Sequence, residues 1–184
     1  IRLWFWATDD IEALADAGIV QGFSDGTYQP SLPVDRAQMA VYLARALAGG
    51  DADVPPGPAQ PSFWDVPTDH WAYEYVEYLK ARGVVQGSAR GLYRPSAIVT
   101  RGAVAVFLAR ALAGSDSAIP APPIQPTFAD VTSSGIWAWC YKHVEYLADR
   151  EIVSGYPDGR YQPAVTVDRA QMAVYIARAF VLPM

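Results

Sequence analysis

One cysteine, Cys140, stands in a chain of 184 residues, so no internal disulfide can form, and a lone thiol within an apolar helix pattern reads as buried filler rather than as a nucleophile. Histidine is almost as scarce. His70 and His143 are the only two, no Cys/His spacing of a metal site occurs, and no serine or cysteine stands near a plausible base. No glycine-rich phosphate loop precedes a helix. Neither an enzyme nor a cofactor or metal site is therefore expected. Positive charge is not in excess either: a net charge of -5 argues against nucleic acid as a partner, because that association needs a basic surface to displace counterions. Lysine is nearly missing, since 12 of the 14 basic residues are arginine, whose fork of donors suits carboxylates. No run approaches the roughly 18 to 20 apolar residues of a membrane span, so no membrane insertion is expected. The apolar start, Ile1-Arg2-Leu3-Trp4-Phe5-Trp6, is too short and wrongly flanked for a signal peptide. The chain is expected to be either processed or a piece of something longer.

What the sequence does have is repetition. Val34-Asp35-Arg36-Ala37-Gln38-Met39-Ala40-Val41-Tyr42 returns letter for letter at residues 167–175, and a weaker copy runs over residues 99–107. Ahead of each copy lie a glycine, a turn and a Tyr-x-Pro: Gly22 to Pro30, Gly87 to Pro95 and Gly155 to Pro163. Trp6, Trp71 and Trp139 form one column further upstream, and Glu12, Glu77 and Glu145 another; Arg45, Arg110 and Arg178 form a third downstream. An internal repeat of this quality sets the architecture before any one residue is interpreted.

Each copy predicts two helices. Asp35 and Asp168 are N-caps, completed as capping boxes by Gln38 and Gln171, whereas Thr100 caps without a partner because Ala103 cannot reach back. Beyond the cap, Met39, Tyr42, Leu43, Ala46 and Leu47 share one apolar face, and the other copies match it column by column. Upstream, Ile11, Leu14 and Ala15, then Tyr75, Val76 and Leu79, then Val144 and Leu147, mark shorter amphipathic helices. Gly18 and Gly83 stand where a left-handed cap is expected, with Glu151 at the third such position. Asp25-Gly26 and Asp158-Gly159 read as turn chemistry rather than as calcium ligands, since no EF-hand ligand pattern surrounds them. The expected units are residues 1–50, with a truncated or degenerate start, then 62–114 and 127–184, joined by proline-rich connectors at 51–61 and 115–126.

Arg36, Arg101 and Arg169 occupy the first helical position, where the helix dipole disfavours a cation. Two readings stand open. Each arginine lies over a neighbouring repeat and pairs with a carboxylate such as the Glu12, Glu77 and Glu145 column, or each joins unsatisfied helix amides in an anion site. Arg45, Arg110 and Arg178 read as structural, forming salt bridges between repeats with that glutamate column.

Phe63-Trp64-Asp65-Val66, His70-Trp71-Ala72, Gly83-Val84-Val85-Gln86-Gly87 and Phe128-Ala129-Asp130-Val131 resemble the S-layer homology family in their order and recurrence. The resemblance implies a mainly α fold: three helix-loop-helix repeats packed as a pseudo-threefold, three-pronged bundle. It also implies a non-catalytic anchoring module, at the bacterial cell surface, that binds an anionic, pyruvylated secondary cell-wall polysaccharide in grooves between repeats. The residues it assigns to the ligand are Arg36, Arg101 and Arg169; Asp65 and Asp130; Trp6, Trp71 and Trp139; and Gly22, Gly87 and Gly155. The alternative is a structural subunit that assembles with copies of itself into a surface layer, tube or filament. The apolar lead discriminates between them: folded back it favours anchoring, and inserted into another molecule it favours assembly.

Overall fold

A computed structural model describes residues 5–88 and 90–181 of the chain. Six α-helices follow in order: α1 Thr8–Asp16, α2 Arg36–Ala48, α3 Tyr73–Ala81, α4 Arg101–Ala113, α5 Tyr141–Ala148 and α6 Arg169–Ile176. The fold is mainly helical, with no strand beyond isolated bridges among the described residues. The caps form as the sequence predicts. Asp35 accepts from the Gln38 amide at 2.8 Å while its own amide donates to Gln38 Oε1 at 3.2 Å. Asp168 and Gln171 repeat the pair at 2.8 and 3.4 Å. Thr100 receives only the Ala103 amide.

The shorter helices α1, α3 and α5 end in one shared device. Gly18 and Gly83 have φ of 70°, and Glu151 at the third position is forced to φ 58°. The amides that follow, from Ile19, Val84 and Ile152, reach back to Leu14, Leu79 and Leu147 carbonyls, which closes the helix end and starts the next segment inward. Left-handed backbone crowds the Cβ of glutamate and not of glycine. Glu151→Gly is therefore expected to stabilise the protein by about 1 kcal/mol, seen as a higher urea midpoint; an unchanged or lower midpoint would contradict it. Leu14, Val76, Leu79, Val144 and Leu147 are buried as expected, but Ala15 is exposed. Lys80, at the same position of α3, is exposed as well, so this position lies outside the buried stripe.

The helices pair between repeats. α2 packs on α3, α4 on α5, and α6 on α1, so each prong takes its long helix from one repeat and its short helix from the next. The first and last helices close the ring. Phe5 and Ala7 pack against Ala170 and Val174 of α6; residues 1–4 of the apolar lead lie outside the described residues.

At the axis the repeats are stitched by backbone. Val34 donates to Val167 O at 2.9 Å, Val167 to Val99 O at 3.1 Å, and Val99 to Val34 O at 2.9 Å, a closed triangle of hydrogen bonds among three buried valines. Next to it, bridges join Pro33 with Asp168, Asp35 with Ile98, and Thr100 with Thr166. No repeat completes its own hydrogen bonding here, and buried backbone groups that lack partners are costly, so the three copies must come together.

The proline-rich connectors are pinned along their length. Tyr73 and Tyr141 hydroxyls donate to the carbonyls of Pro58 and Pro123, and Val54 and Ile119 are buried. Arg45 and Arg110 do not pair with the glutamate column. Arg45 bonds Asp51 at 2.7 Å and Arg110 bonds Asp116 at 2.9 Å, each aspartate lying six residues on in the connector. The next repeat joins through the same aspartate, by Tyr75 at Asp51 and by His143 and Lys142 at Asp116. Glu77 and Glu145 instead take the amides and hydroxyls of Ser62 and Thr127, fixing where each connector ends.

His143 makes the second of these junctions sensitive to pH. It is buried, Nε2 lies 2.8 Å from Asp116, and Nδ1 has no partner among the described residues. Burial holds its imidazole below the ordinary value, against the pull of the Asp116 carboxylate. As pH falls below the unfolded value of about 6.5, the unfolded chain takes up the proton before the folded one does. Stability present above that pH is thus lost as pH falls toward the depressed folded value. His143→Tyr, which copies Tyr75, is expected to flatten the loss in urea midpoint between neutral and mildly acidic buffer. Parallel pH profiles for the two proteins would refute this.

Candidate functional site

At each of the three junctions between repeats stands one of the repeated arginines. Every such arginine reaches across to the Tyr-x-Pro segment of the next repeat in the ring. Arg36 Nε donates to Tyr93 O at 2.7 Å, Arg101 Nε to Tyr161 O at 2.8 Å, and Arg169 Nε to Tyr28 O at 2.8 Å. The bonds are reciprocal, since the hydroxyls of Tyr93, Tyr161 and Tyr28 donate to the carbonyls of Arg36, Arg101 and Arg169 at 2.8, 3.2 and 3.2 Å. Each guanidinium also lies over that tyrosine ring, 4.3 to 4.4 Å from its centre. Burial pushes these phenols upward, so they remain donors.

Two arginines are held further. Arg101 donates to Ser154 O at 2.7 Å and to the Tyr175 hydroxyl, and Arg169 to Gln21 O at 2.8 Å and the Tyr42 hydroxyl. Both residues are 4–5% exposed, yet neither forms an ion pair among the described residues. All their partners are neutral. Arg36 is half-buried and keeps the single bond to Tyr93: Phe107 stands where Tyr42 and Tyr175 supply a hydroxyl, and among the described residues no carbonyl bond matches those to Gln21 and Ser154.

Both sequence readings of these arginines need correction. They do lie over a neighbouring repeat, but carbonyls and rings meet them rather than the glutamates. The helix amides are not free for an anion: Arg36, Ala37, Arg101, Gly102, Arg169 and Ala170 donate to Ala97, Pro95, Val165, Pro163, Leu32 and Pro30 carbonyls at 2.8 to 3.0 Å. Repeat-to-repeat stitching consumes the donors that an isolated helix would leave exposed.

Asp65 and Asp130 fix the segments that grip two of these arginines. Asp65 accepts from Tyr93 and Arg94 amides at 2.8 and 2.6 Å, and Asp130 from Tyr161 and Gln162 amides at 2.8 Å each. Arg94 and Gln162 are in left-handed backbone, φ 63° and 57°, as is Gln29 at 53° where no aspartate accepts its backbone amide among the described residues, so the bonds fix the segments whose carbonyls grip Arg36 and Arg101 without dictating that conformation. Gly87 and Gly155 are small for a packing reason: a Cβ there would sit 2.5 Å from Phe63 Cε1 and 2.6 Å from Phe128 Cε1. At Gly22 it would meet Thr27 O at 2.9 Å. The turn aspartates do what the sequence predicts, Asp25 accepting from the Thr27 amide and hydroxyl and Asp158 from the Arg160 amide.

Trp6, Trp71 and Trp139 are 58%, 61% and 49% exposed, so core packing does not account for them. Trp6 lines a cavity of about 190 Å³ with Arg101, Ser154, Gly155, Tyr156 and Tyr175. That groove takes residues from all three repeats. Cys140 is fully buried with its thiol donating to Trp137 O at 3.3 Å, and burial pushes it up to about 11, which suits filler. The sequence reading passed over Tyr28, Tyr93, Tyr161, Tyr42 and Tyr175 as groove residues, although the Tyr-x-Pro tyrosine recurs in every copy.

The S-layer homology domain profile matches residues 3–40, 62–105 and 127–173, more than half of the chain. The chain belongs to the S-layer homology domain family. Curated relatives of this S-layer homology chain include the Cell surface glycoprotein 1 of Acetivibrio thermocellus, 26% identical over 87% of the chain and 7% of the relative. The Cellulosome-anchoring protein of the same organism is 24% identical over 89% of the chain and 35% of its own length. The S-layer protein EA1 of Bacillus anthracis is 30% identical over 94% and 19%. The chain thus spans about a third or less of the curated relatives it matches. No helix among the described residues is long and apolar enough to cross a membrane, and no group of three or more His, Cys, Asp or Glu among them could hold a metal.

Proposed function

We propose that this S-layer homology chain is a non-catalytic module that anchors a protein at the bacterial cell surface, outside the cell, by binding an anionic secondary cell-wall polysaccharide in the grooves between its repeats. The observation that carries the reading is the pair of buried guanidinium groups, Arg101 and Arg169, with neutral partners alone. A buried charge is normally matched by an opposite one. A carboxylate on the ligand would supply the match, and the ketal carboxylate of a pyruvylated sugar has the planar pair of oxygens that an arginine fork accepts. Exposed Trp6, Trp71 and Trp139 offer sugar faces an aromatic surface. Asp65, Asp130, Gly22, Gly87 and Gly155 serve the ligand as positioning residues, through the turns and carbonyls they hold. Relatives named for cellulosome anchoring and for the S-layer are in keeping with this role.

Self-assembly into a surface layer or filament is the second reading. It drew on a first repeat completed by a neighbouring molecule, whereas α1 and Phe5 find their partner in α6 of the same chain. The test is co-sedimentation with walls of the source organism, native and stripped of secondary polymer. Pelleting with native walls alone is the expected result. Pelleting with neither, or without any wall, would overturn the anchoring reading.

A further inference from the structure

The three junctions between repeats differ in a second cation. Arg45 and Arg110 are neutralised by Asp51 and Asp116, six residues on. In the third repeat the same offset falls on Met184, and Arg178 is exposed with no ion pair among the described residues. Asp10 of α1 is the carboxylate that senses its charge; burial raises the Asp10 carboxyl and Arg178 lowers it, but the two are not in ion-pair contact. Arg178 turns instead to the cavity of about 190 Å³ that holds Arg101, Trp6 and Gln171. Gln171, Val174, Tyr175 and Arg178 fall on one stripe at helical spacing. Tyr175 stands between the cations, its hydroxyl bonded to Arg101, one turn before Arg178.

We propose that the Arg101 groove is a two-anion site: Arg101 takes one carboxylate of the wall glycan at the inner end, Arg178 takes a second oxyanion of the same strand at the outer end, and Trp6 covers the sugar between them. This rests on the wall-polysaccharide reading and names the groove and the second contact that it leaves open. The second oxyanion is another ketal carboxylate or a phosphate. Both present paired oxygens to an exposed guanidinium.

The test is titration of the folded protein, Arg178→Gln and Arg150→Gln with polysaccharide released from the native wall, and with a monosaccharide carrying one pyruvyl ketal. Arg150 is an exposed arginine outside this cavity, so its variant matches the change in net charge. Arg178→Gln is expected to weaken polymer binding about tenfold at low salt, less as salt rises, and to leave the monosaccharide unaffected. Polymer binding equal to the parent, or a loss no larger than that of Arg150→Gln, would overturn the two-anion site while the anchoring reading stands. A parent that binds no polymer would overturn the anchoring reading itself, and this site with it. Polymer freed of its ketals identifies the outer group: Arg178 dependence that survives assigns phosphate, and dependence that disappears assigns carboxylate.

Discussion

Arg169→Ala is expected to cost about 3–5 kcal/mol of stability and to abolish ligand binding in its groove. The substitution strips a charged donor from Tyr28 O, Gln21 O and the Tyr42 hydroxyl at once, and those acceptors are gathered from repeat one by a side chain of repeat three. At roughly 2–4 °C per kcal/mol for a chain of this size, the melting temperature should fall by about 6–20 °C. Arg169→Lys separates the two roles. It keeps a cation and part of the packing but cannot satisfy three acceptors, so it should fold with an intermediate loss and still bind poorly. An alanine variant with parental stability would contradict the inter-repeat role, and one that retains full affinity would contradict the assignment to the ligand. Arg36→Ala should cost far less, because one hydrogen bond and the two aromatic faces of Tyr93 and Phe107 are what it loses.

Asp130→Ala is expected to cost about 2–4 kcal/mol, from two charge-assisted bonds to backbone amides. Its effect should spread beyond its own repeat. Releasing the Tyr161 and Gln162 amides frees the segment whose carbonyl holds Arg101. Binding in the Arg101 groove should therefore weaken although Asp130 need not touch the ligand. A crystal structure of the variant with Tyr161 and Arg101 unmoved, or a loss below about 0.5 kcal/mol by urea unfolding, would refute this positioning role.

Legibility of the chain varied with the range of the interaction. The starts of the long helices, the left-handed caps at Gly18, Gly83 and Glu151, and the turns at Asp25 and Asp158 were all readable, because their partners lie within about five residues in sequence. The reading failed where one residue type could meet several partners. Arg45 and Arg110 chose connector aspartates over the glutamate column, and nothing in their own helices marks that choice.

The sequence alone determined that there are three equivalent units, where each long helix begins and each short helix ends, and that a cation recurs at the head of every long helix. Tertiary structure decided which helices pair. A short helix packs on the long helix of the preceding repeat, and α1 closes on α6. That exchange supplies carbonyls of one repeat to the helix amides of another, filling donors that local rules leave open. It also sorts three similar arginines into two buried and one half-buried, the last lacking both the tyrosine hydroxyl that Phe107 replaces and the carbonyl bond that Ser154 and Gln21 supply to the others. The physical reason is that hydrogen-bond and charge satisfaction is settled among groups brought together from distant repeats, whereas capping and periodicity are settled within a few residues.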